Sequence, residues 1–376
     1  MSSMFHAKEA IKMNSIKQIE VIYGNRLVGR LALSKEGQCA FEYSAEWLNS
    51  GFSISPFELP LRNGVFIARP RPFEGGFGVF DDCLPDGWGL LVLDRYLQRS
   101  GINPRLLTLL DRLALVGSTG RGALEFRPNK SVISNQEYVD FEKLALEAEQ
   151  ILDSEDYVGE GIDEFQYRGG SPGGARPKIF MRHDGTEWLV KFRAKMDSKR
   201  IGTEEYRYSL LAKECGIEMP ETRLFEDKYF GVERFDRTPN GKLHVASVAG
   251  LIGADYRLPS IDYTQIFQIC AVLTHNVAEM WKVYRLMVFN FLIDNKDDHA
   301  KNFAFIYHDG DWHFAPAYDL LPSDGINGFR TTSINDSIEP TKEDLFAVAI
   351  KAGLERKDAI EIFDKMEKCV KQFLSC

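Results

Sequence analysis

The chain has few cysteines and none in pairs. Cys39, Cys83, Cys215, Cys270, Cys369 and Cys376 are scattered over 376 residues with no C-x-x-C motif. That spacing excludes a disulfide framework or a zinc site and predicts reduced thiols in a cytoplasm. No apolar run is long enough to span a bilayer, so no membrane role is expected. The polar lead-in over residues 1–15 lacks the apolar core of a signal peptide. Positive charge is also short: the formal net charge is −9. An acidic chain makes a poor candidate for wrapping nucleic acid by itself, because phosphate contacts need clustered Lys and Arg. There is no G-x-x-x-x-G-K-[ST] loop, no internal repeat and no low-complexity tract.

What is present is ordinary globular composition, 44% hydrophobic and 27% charged, in a chain long enough for two or three domains. Residues 19–23 alternate, Gly24-Asn25 turns, and residues 26–33 continue, which predicts a hairpin. Residues 39–43 predict a third strand, and the Gly/Pro-rich stretch 56–78 predicts short strands and turns. A helix capped by Asp86 and stopped by Gly101 follows, then a second from Pro104 to about Gly117. Residues 128–137 read as a linker.

The second half opens with a helix predicted over 138–152. Beyond a glycine-rich turn, residues 178–181 and 188–192 predict two strands joined at Asp184-Gly185. A helix over 203–215 ends at Gly216, and a hairpin is predicted over 222–235. From about Val245 the pattern turns helical, with 272–293 read as one long buried helix and 341–373 as further helices. A β-rich piece followed by an α-rich piece is the two-lobed layout of kinases.

The chemistry concentrates in Asn295-Lys-Asp-Asp-His-Ala-Lys-Asn302 and Tyr318-Asp319. Asp297 and Asn302 are five positions apart, and Asp319 follows Asn302 by seventeen. Protein kinases use this spacing for a carboxylate that orients a hydroxyl, an amide oxygen on Mg²⁺, and a second carboxylate on Mg²⁺. The plain alternative is a polar loop capped by Asp and Asn, and D-x-x-x-x-N alone is weak. The hairpin predicted over 303–314 strengthens the catalytic reading, because it would present Asp319 back towards the loop.

The turn Gly169-Gly170-Ser171-Pro172-Gly173-Gly174-Ala175 lets the amides of Gly170, Ser171, Gly173 and Gly174 approach phosphates closely; by itself it is equally an ordinary turn. Lys178 either reaches a phosphate or covers the hairpin. Lys191 lies in an apolar strand and must pair there, with nucleotide phosphates and an acid such as Glu204 or Glu205, unless the strand is an edge facing solvent. Glu233-Arg-Phe-Asp236 sits where a kinase hinge holds adenine through its backbone; the alternative is a surface strand end. His244, His275 and His299 show no ligand spacing and read as structural.

These residues carry a resemblance. Asp81-Asp-Cys-Leu-Pro-Asp-Gly-Trp-Gly89, Gly170-Ser-Pro-Gly-Gly-Ala-Arg-Pro-Lys178, Val232-Glu-Arg-Phe-Asp-Arg237, Asp298-His-Ala-Lys-Asn302-Phe303 and Tyr318-Asp-Leu-Leu321 occur in the order found in HipA-like Ser/Thr kinases, the toxin half of bacterial toxin–antitoxin pairs. The chain resembles that family over nearly all its length. One departure is Asp298, where the family often has Gly.

The resemblance implies an α+β, two-lobed, phosphoinositide-kinase-like fold preceded by a β-barrel-containing N-terminal subdomain. The expected boundaries are 16–128 for that subdomain, 138–237 for the ATP-binding lobe and 238–376 for the helical lobe. It implies ATP and Mg²⁺ as cofactors, with Asp297 as base and Asn302 and Asp319 on Mg²⁺. Ser171, Gly173, Gly174, Lys178, Lys191, Glu233, Phe235 and Tyr318 would line the ATP site. Ser171 matches the serine that family members autophosphorylate to silence themselves. The implied partners are a separate HipB-like helix-turn-helix antitoxin, operator DNA mainly through that antitoxin, and a protein substrate; the family's substrates include an aminoacyl-tRNA synthetase of the translation machinery. The rival expectations are a small-molecule kinase on the same layout and a non-catalytic corepressor.

Overall fold

Gly24 and Asn25 both adopt left-handed backbone, φ +50° and +59°, which closes the tight turn between β1 (Gln18–Tyr23) and β2 (Arg26–Leu33). This is a computed structural model; it describes residues 16–132, 139–154, 157, 159–169, 173–325 and 327–375. With β3 (Cys39–Tyr43), β4 (Val65–Ile67) and β5 (Leu124–Arg127), these strands form an antiparallel sheet in the order β4-β3-β2-β1-β5. The alternation predicted from sequence is borne out: Val21, Val28, Leu31 and Phe41 are fully buried on one face. The expected barrel is not. Among the described residues β4 and β5 pair only with β3 and β1, so the sheet is open.

The chain folds as two compact units, residues 1–202 with 224–242, and residues 203–223 with 243–376. In the first unit, β6 (Lys178–His183) and β7 (Thr186–Lys191) form the predicted hairpin, with Asp184 and Gly185 at positive φ. Together with β8 (Thr222–Phe225) and β9 (Tyr229–Glu233) they make a sheet ordered β6-β7-β9-β8. One core of Trp88, Phe141, Phe165, Val190, Phe192 and Tyr229 joins that sheet to the helix Gly87–Arg99. The helix Gly161–Gly169, which the sequence reading missed, contributes Phe165, edge-on to Trp88 at 4.9 Å. The short strands β10 (Arg237–Thr238) and β11 (Gly241–Lys242) complete the unit.

In the second unit, β12 (His244–Ser247), β13 (Ile261–Asp262), β14 (Ala304–His308), β15 (Asp311–Phe314) and β16 (Thr332–Ser333) give two small sheets, β12-β14-β15 and the parallel pair β13-β16. Three expectations are corrected. The helix predicted from Pro104 is a 3₁₀ turn, Pro104–Leu106, followed by the helix Leu109–Val116, because Thr108 and Asp111 form a capping box that restarts it. The segment from Val245 begins as a strand, not a helix. The single long helix over 272–293 is two, Tyr263–Thr274 and Val277–Leu292. His275 turns left-handed at φ +48° and the Asn276 side chain caps the second helix.

Candidate active site

The helix Val277–Leu292 ends in a loop that carries Asp297 and Asn302. Asp294 leaves the helix at φ +52°, and Arg330 donates to the carbonyl of Asn295 at 2.9 Å. Asn295 is buried and holds the loop from inside. Its Nδ2 donates to Asn290 Oδ1 at 3.1 Å and to the Asp319 carbonyl at 3.4 Å, while its Oδ1 accepts from the Asp297 amide at 3.2 Å. Thr331 returns two hydrogen bonds to the Lys296 carbonyl, from its amide at 3.0 Å and its hydroxyl at 2.7 Å.

The adjacent carboxylates separate sharply. Asp297 is exposed, whereas Asp298 is 1% exposed. Asp298 Oδ2 accepts from the Tyr263 hydroxyl at 2.8 Å and Oδ1 from the Thr332 amide at 3.3 Å; the Thr332 hydroxyl donates to the Asp298 carbonyl. Burial pushes the Asp298 carboxyl up to about 7, against the opposing pull of Arg330 and the Tyr263 hydrogen bond. A buried carboxyl bonded on both oxygens is a fastener. Asp297, by contrast, stays at the surface.

His299 opens the 3₁₀ turn Ala300–Asn302, its Nδ1 accepting from the Lys301 amide at 3.3 Å, in a loop-holding role. Asn302 Nδ2 donates to the Asp297 carbonyl at 2.8 Å. That bond fixes the side chain by its nitrogen and leaves Oδ1 as the atom suited to a hard cation. Asp319, exposed and at φ +54°, follows Tyr318, whose hydroxyl donates to the Lys301 carbonyl at 2.6 Å. The structure therefore brings the Asp297–Asn302 loop and the Asp319 segment together by two hydrogen bonds, one from Asn295 and one from Tyr318. Among the described residues no three His, Cys, Asp or Glu side chains cluster as a metal cage. Mg²⁺ held largely through phosphates needs only one or two protein oxygens, and Asn302 with Asp319 fits that chemistry.

In the first unit, Lys178 and Lys191 stand directly opposite each other across β6 and β7, and both are buried, at 4% and 8% exposure. Opposed residues in an antiparallel pair share a face, and like charges there repel. A negative group at that end of the hairpin would offset the repulsion. Lys178 Nζ also donates to the Gly173 carbonyl, which ties the glycine turn to the strand. Gly170 and Ser171, the latter the expected autophosphorylation site, lie outside the described residues.

The end of β9 and the strip after it place Glu233 and Phe235, both half-buried, beside a set of buried charges. Arg234 binds Asp236 through Nε at 3.0 Å and Nη2 at 2.9 Å, Arg237 adds a contact at 2.8 Å, and the Gly122 amide donates to the same carboxylate at 2.7 Å. Burial alone would raise the Asp236 carboxyl, but the two guanidinium groups and these hydrogen bonds hold it well below the usual carboxylate range. The sequence reading missed this network, as it missed Asn295, Asp298 and Tyr263. Asn295, Asp298 and Tyr263 act through partners distant in sequence, and the Arg234, Asp236 and Arg237 set, close in sequence, is distinguished by its burial and its bond to Gly122, so local spacing gave no signal.

Comparison with known proteins follows this geometry. A family model for the HipA-like C-terminal domain matches residues 170–373, and one for the HipA N-terminal domain matches residues 19–127. Y4dM of Sinorhizobium fredii, named as a kinase, is 27% identical over 368 residues, covering 90% of this chain and 87% of that one. The serine/threonine-protein kinase toxin HipA of Shewanella oneidensis is 22% identical over 368 residues, covering 86% and 79%. A solved structure of the Shewanella oneidensis HipA, HipB and operator DNA complex matches with a TM-score of 0.70 at 20% identity, over 95% of this chain and 90% of that one. That likeness establishes a shared mixed α/β fold. The resemblance first drawn from five short motifs is borne out by models that together cover both halves of the sequence, and the chain belongs to the HipA family.

Proposed function

We propose that the chain is an ATP- and Mg²⁺-dependent protein serine/threonine kinase, the toxin of a HipA/HipB-like pair. The observation that carries this reading is the joining of the Asp297–Asn302 loop to Asp319 through Asn295 and Tyr318. It is supported by the opposed, buried Lys178 and Lys191 in the first unit, a cationic pair suited to nucleotide phosphates. Bound Mg²⁺ would neutralise charge on the phosphates and the leaving ADP. Asn302 Oδ1 and the Asp319 carboxylate would hold it.

In the transfer, a substrate Ser or Thr oxygen forms a bond to the γ-phosphorus as the bond to the β–γ bridging oxygen breaks. The hydroxyl proton passes to the Asp297 carboxylate, and ADP leaves with the bridging oxygen. Glu233 and Phe235 would seat adenine through their backbone, with Tyr318 packing nearby. Gly173 and Gly174 would approach the phosphates. The subdomains would be 16–128, 138–237 and 238–376, the last two forming the lobes of a kinase.

Ser171 is the proposed site of self-silencing: a phosphate carrying nearly two negative charges beside the ATP phosphates would repel them. The proposed partner is a separate HipB-like helix-turn-helix protein, in line with the assembly of the Shewanella HipA with HipB and operator DNA. DNA would be reached mainly through that partner, consistent with the acidic charge of this chain.

The test is intact mass after incubation with ATP and Mg²⁺, beside Asp319→Ala. One added phosphate mapping to Ser171, absent from the variant, is expected. A starting protein without phosphate that gains none would overturn the autophosphorylation reading and favour a metabolite kinase or a corepressor.

A further inference from the structure

Asp86 stands at the N-cap of the helix Gly87–Arg99, yet its side chain makes no capping hydrogen bond. An Asp at that position ordinarily accepts from an amide in the first turn of its own helix. Here its Oδ1 accepts from the Gly174 amide, in the glycine turn. The contact is not isolated. The Trp88 amide donates to the Gly174 carbonyl at 3.0 Å, and Lys178 Nζ donates to the Gly173 carbonyl. Three consecutive polar groups of the turn, the carbonyl of Gly173 and both the amide and carbonyl of Gly174, are thus held from outside it.

The approach is close enough to restrict residue type. Gly87 lies at φ +46°, and a Cβ there would come within 2.6 Å of the Gly174 carbonyl oxygen and 3.0 Å of the Ala175 Cα. Only glycine combines that backbone with that proximity. On the other side, a Cβ on Gly173 would lie 3.2 Å from Asp86 Oδ1. The helix end making these contacts is itself anchored, because the Trp88 ring is buried against Phe165.

We infer that Asp86 is a positioning residue for the glycine turn, and that Asp86, Gly87 and Trp88 act together as its latch. The inference rests on the reading that this turn faces the phosphates of ATP. The latch fixes the turn before the nucleotide arrives, so its ordering cost is not met from binding. It also engages the Gly174 amide with Asp86, so Gly174 would approach the phosphates for want of a side chain while Lys178 and Lys191 meet their charge. The N-terminal helix thereby sets the shape of a nucleotide-binding element far from it in sequence.

Two readouts on the full chain test this. The first is amide hydrogen exchange over residues 173–177 in Asp86→Ala, Asp86→Asn and Gly87→Ala, without nucleotide. The second is the Kd for ATP in the presence of Mg²⁺, with KM and kcat for phosphotransfer. Asp86→Ala should speed exchange in the turn and weaken ATP binding about ten-fold or more, the worth of one charge-assisted hydrogen bond. KM should carry the effect, with kcat at saturating ATP little changed. Asp86→Asn keeps an acceptor oxygen without the charge and should fall between the two, about three-fold weaker than wild type, whereas Gly87→Ala should behave like Asp86→Ala. Unchanged exchange in an Asp86→Ala protein with a wild-type melting temperature overturns the latch. Tighter ATP binding in that variant overturns it too, since Asp86 would then be a competitor of the phosphates. If wild type binds no ATP, the kinase reading falls, and the exchange comparison alone decides the latch.

Discussion

Tyr318 donates its hydroxyl to the main-chain carbonyl of Lys301 at 2.6 Å, seventeen residues back along the chain. The bond links the residue before Asp319 to the residue before Asn302, and so fixes the relation of the two proposed Mg²⁺ ligands through their backbones. Lys301 Nζ also lies over the Tyr256 ring, 4.1 Å from its centroid, which steadies the accepting side.

Tyr318→Phe keeps the ring and removes this bond. A net hydrogen bond is worth about 0.5–1.5 kcal/mol, so phosphotransfer should fall by about two- to ten-fold. Single-turnover autophosphorylation, with a thermal melt as control, measures it. Full activity would show that the Tyr318 bond is not needed to hold the Asp319 segment in place.

Asp297→Asn should lower phosphotransfer by roughly 10²–10⁴-fold, the usual contribution of general-base assistance, with little effect on ATP binding or stability. Its carboxylate is exposed, so the amide has room. Steady-state kinetics beside an ATP titration separates the two; near-normal activity would remove Asp297 from the base role.

Asp298 makes stability depend on pH in a direction unusual for a carboxylate. Its folded pKa is about 7, above the ordinary 3.8, so between those values the folded state holds a proton that the unfolded chain has released. Its contribution to stability is therefore full below about pH 4 and is lost as pH rises through about 7. The Asn variant does not titrate. The melting temperature of Asp298→Asn relative to wild type should rise steadily from pH 4.5 to 7.5, and a constant difference across that range would contradict the assignment.

Asp236→Ala removes the carboxylate that Arg234 and Arg237 hold at 2.9 and 2.8 Å, leaving their guanidinium groups beside Glu187, which lies farther off at 3.6 and 3.5 Å and is half-exposed at 44%. Breaking a buried pair in this way typically costs about 3–5 kcal/mol. Urea denaturation should show a loss of that size. Because the folded pKa of Asp236 is depressed, the stabilisation it gives is present above about pH 4 and lost as pH falls below that value. A loss under about 1 kcal/mol would mean that Glu187 takes over the charge.

Much of the fold was legible in the sequence because its signals are local. Gly24-Asn25 and Asp184-Gly185 marked tight turns, since their backbone needs positive φ, and the alternating runs beside them became β1, β2, β6 and β7. The long-helix reading of 272–293 failed because hydrophobic periodicity runs straight through the break. Only the left-handed turn at His275 and the cap from Asn276 end one helix and begin the next. The barrel failed for a different reason: strands can be read locally, but closure depends on which edges meet, and here β4 and β5 do not pair.

The sequence by itself determined the family and the residue types available for chemistry, because motif order and spacing survive without any knowledge of packing. Spacing to Asn302 singled out Asp297, but only the tertiary structure showed what its neighbour Asp298 does: burial against Tyr263 and Thr332 turns it into a fastener while Asp297 stays at the surface. It likewise decided that Asp86, a cap in sequence, serves the glycine turn, and that Asn295 and Tyr318 tie the Asp297 loop to the Asp319 segment. These are long-range pairings, set by register and packing, to which no local pattern of residues responds.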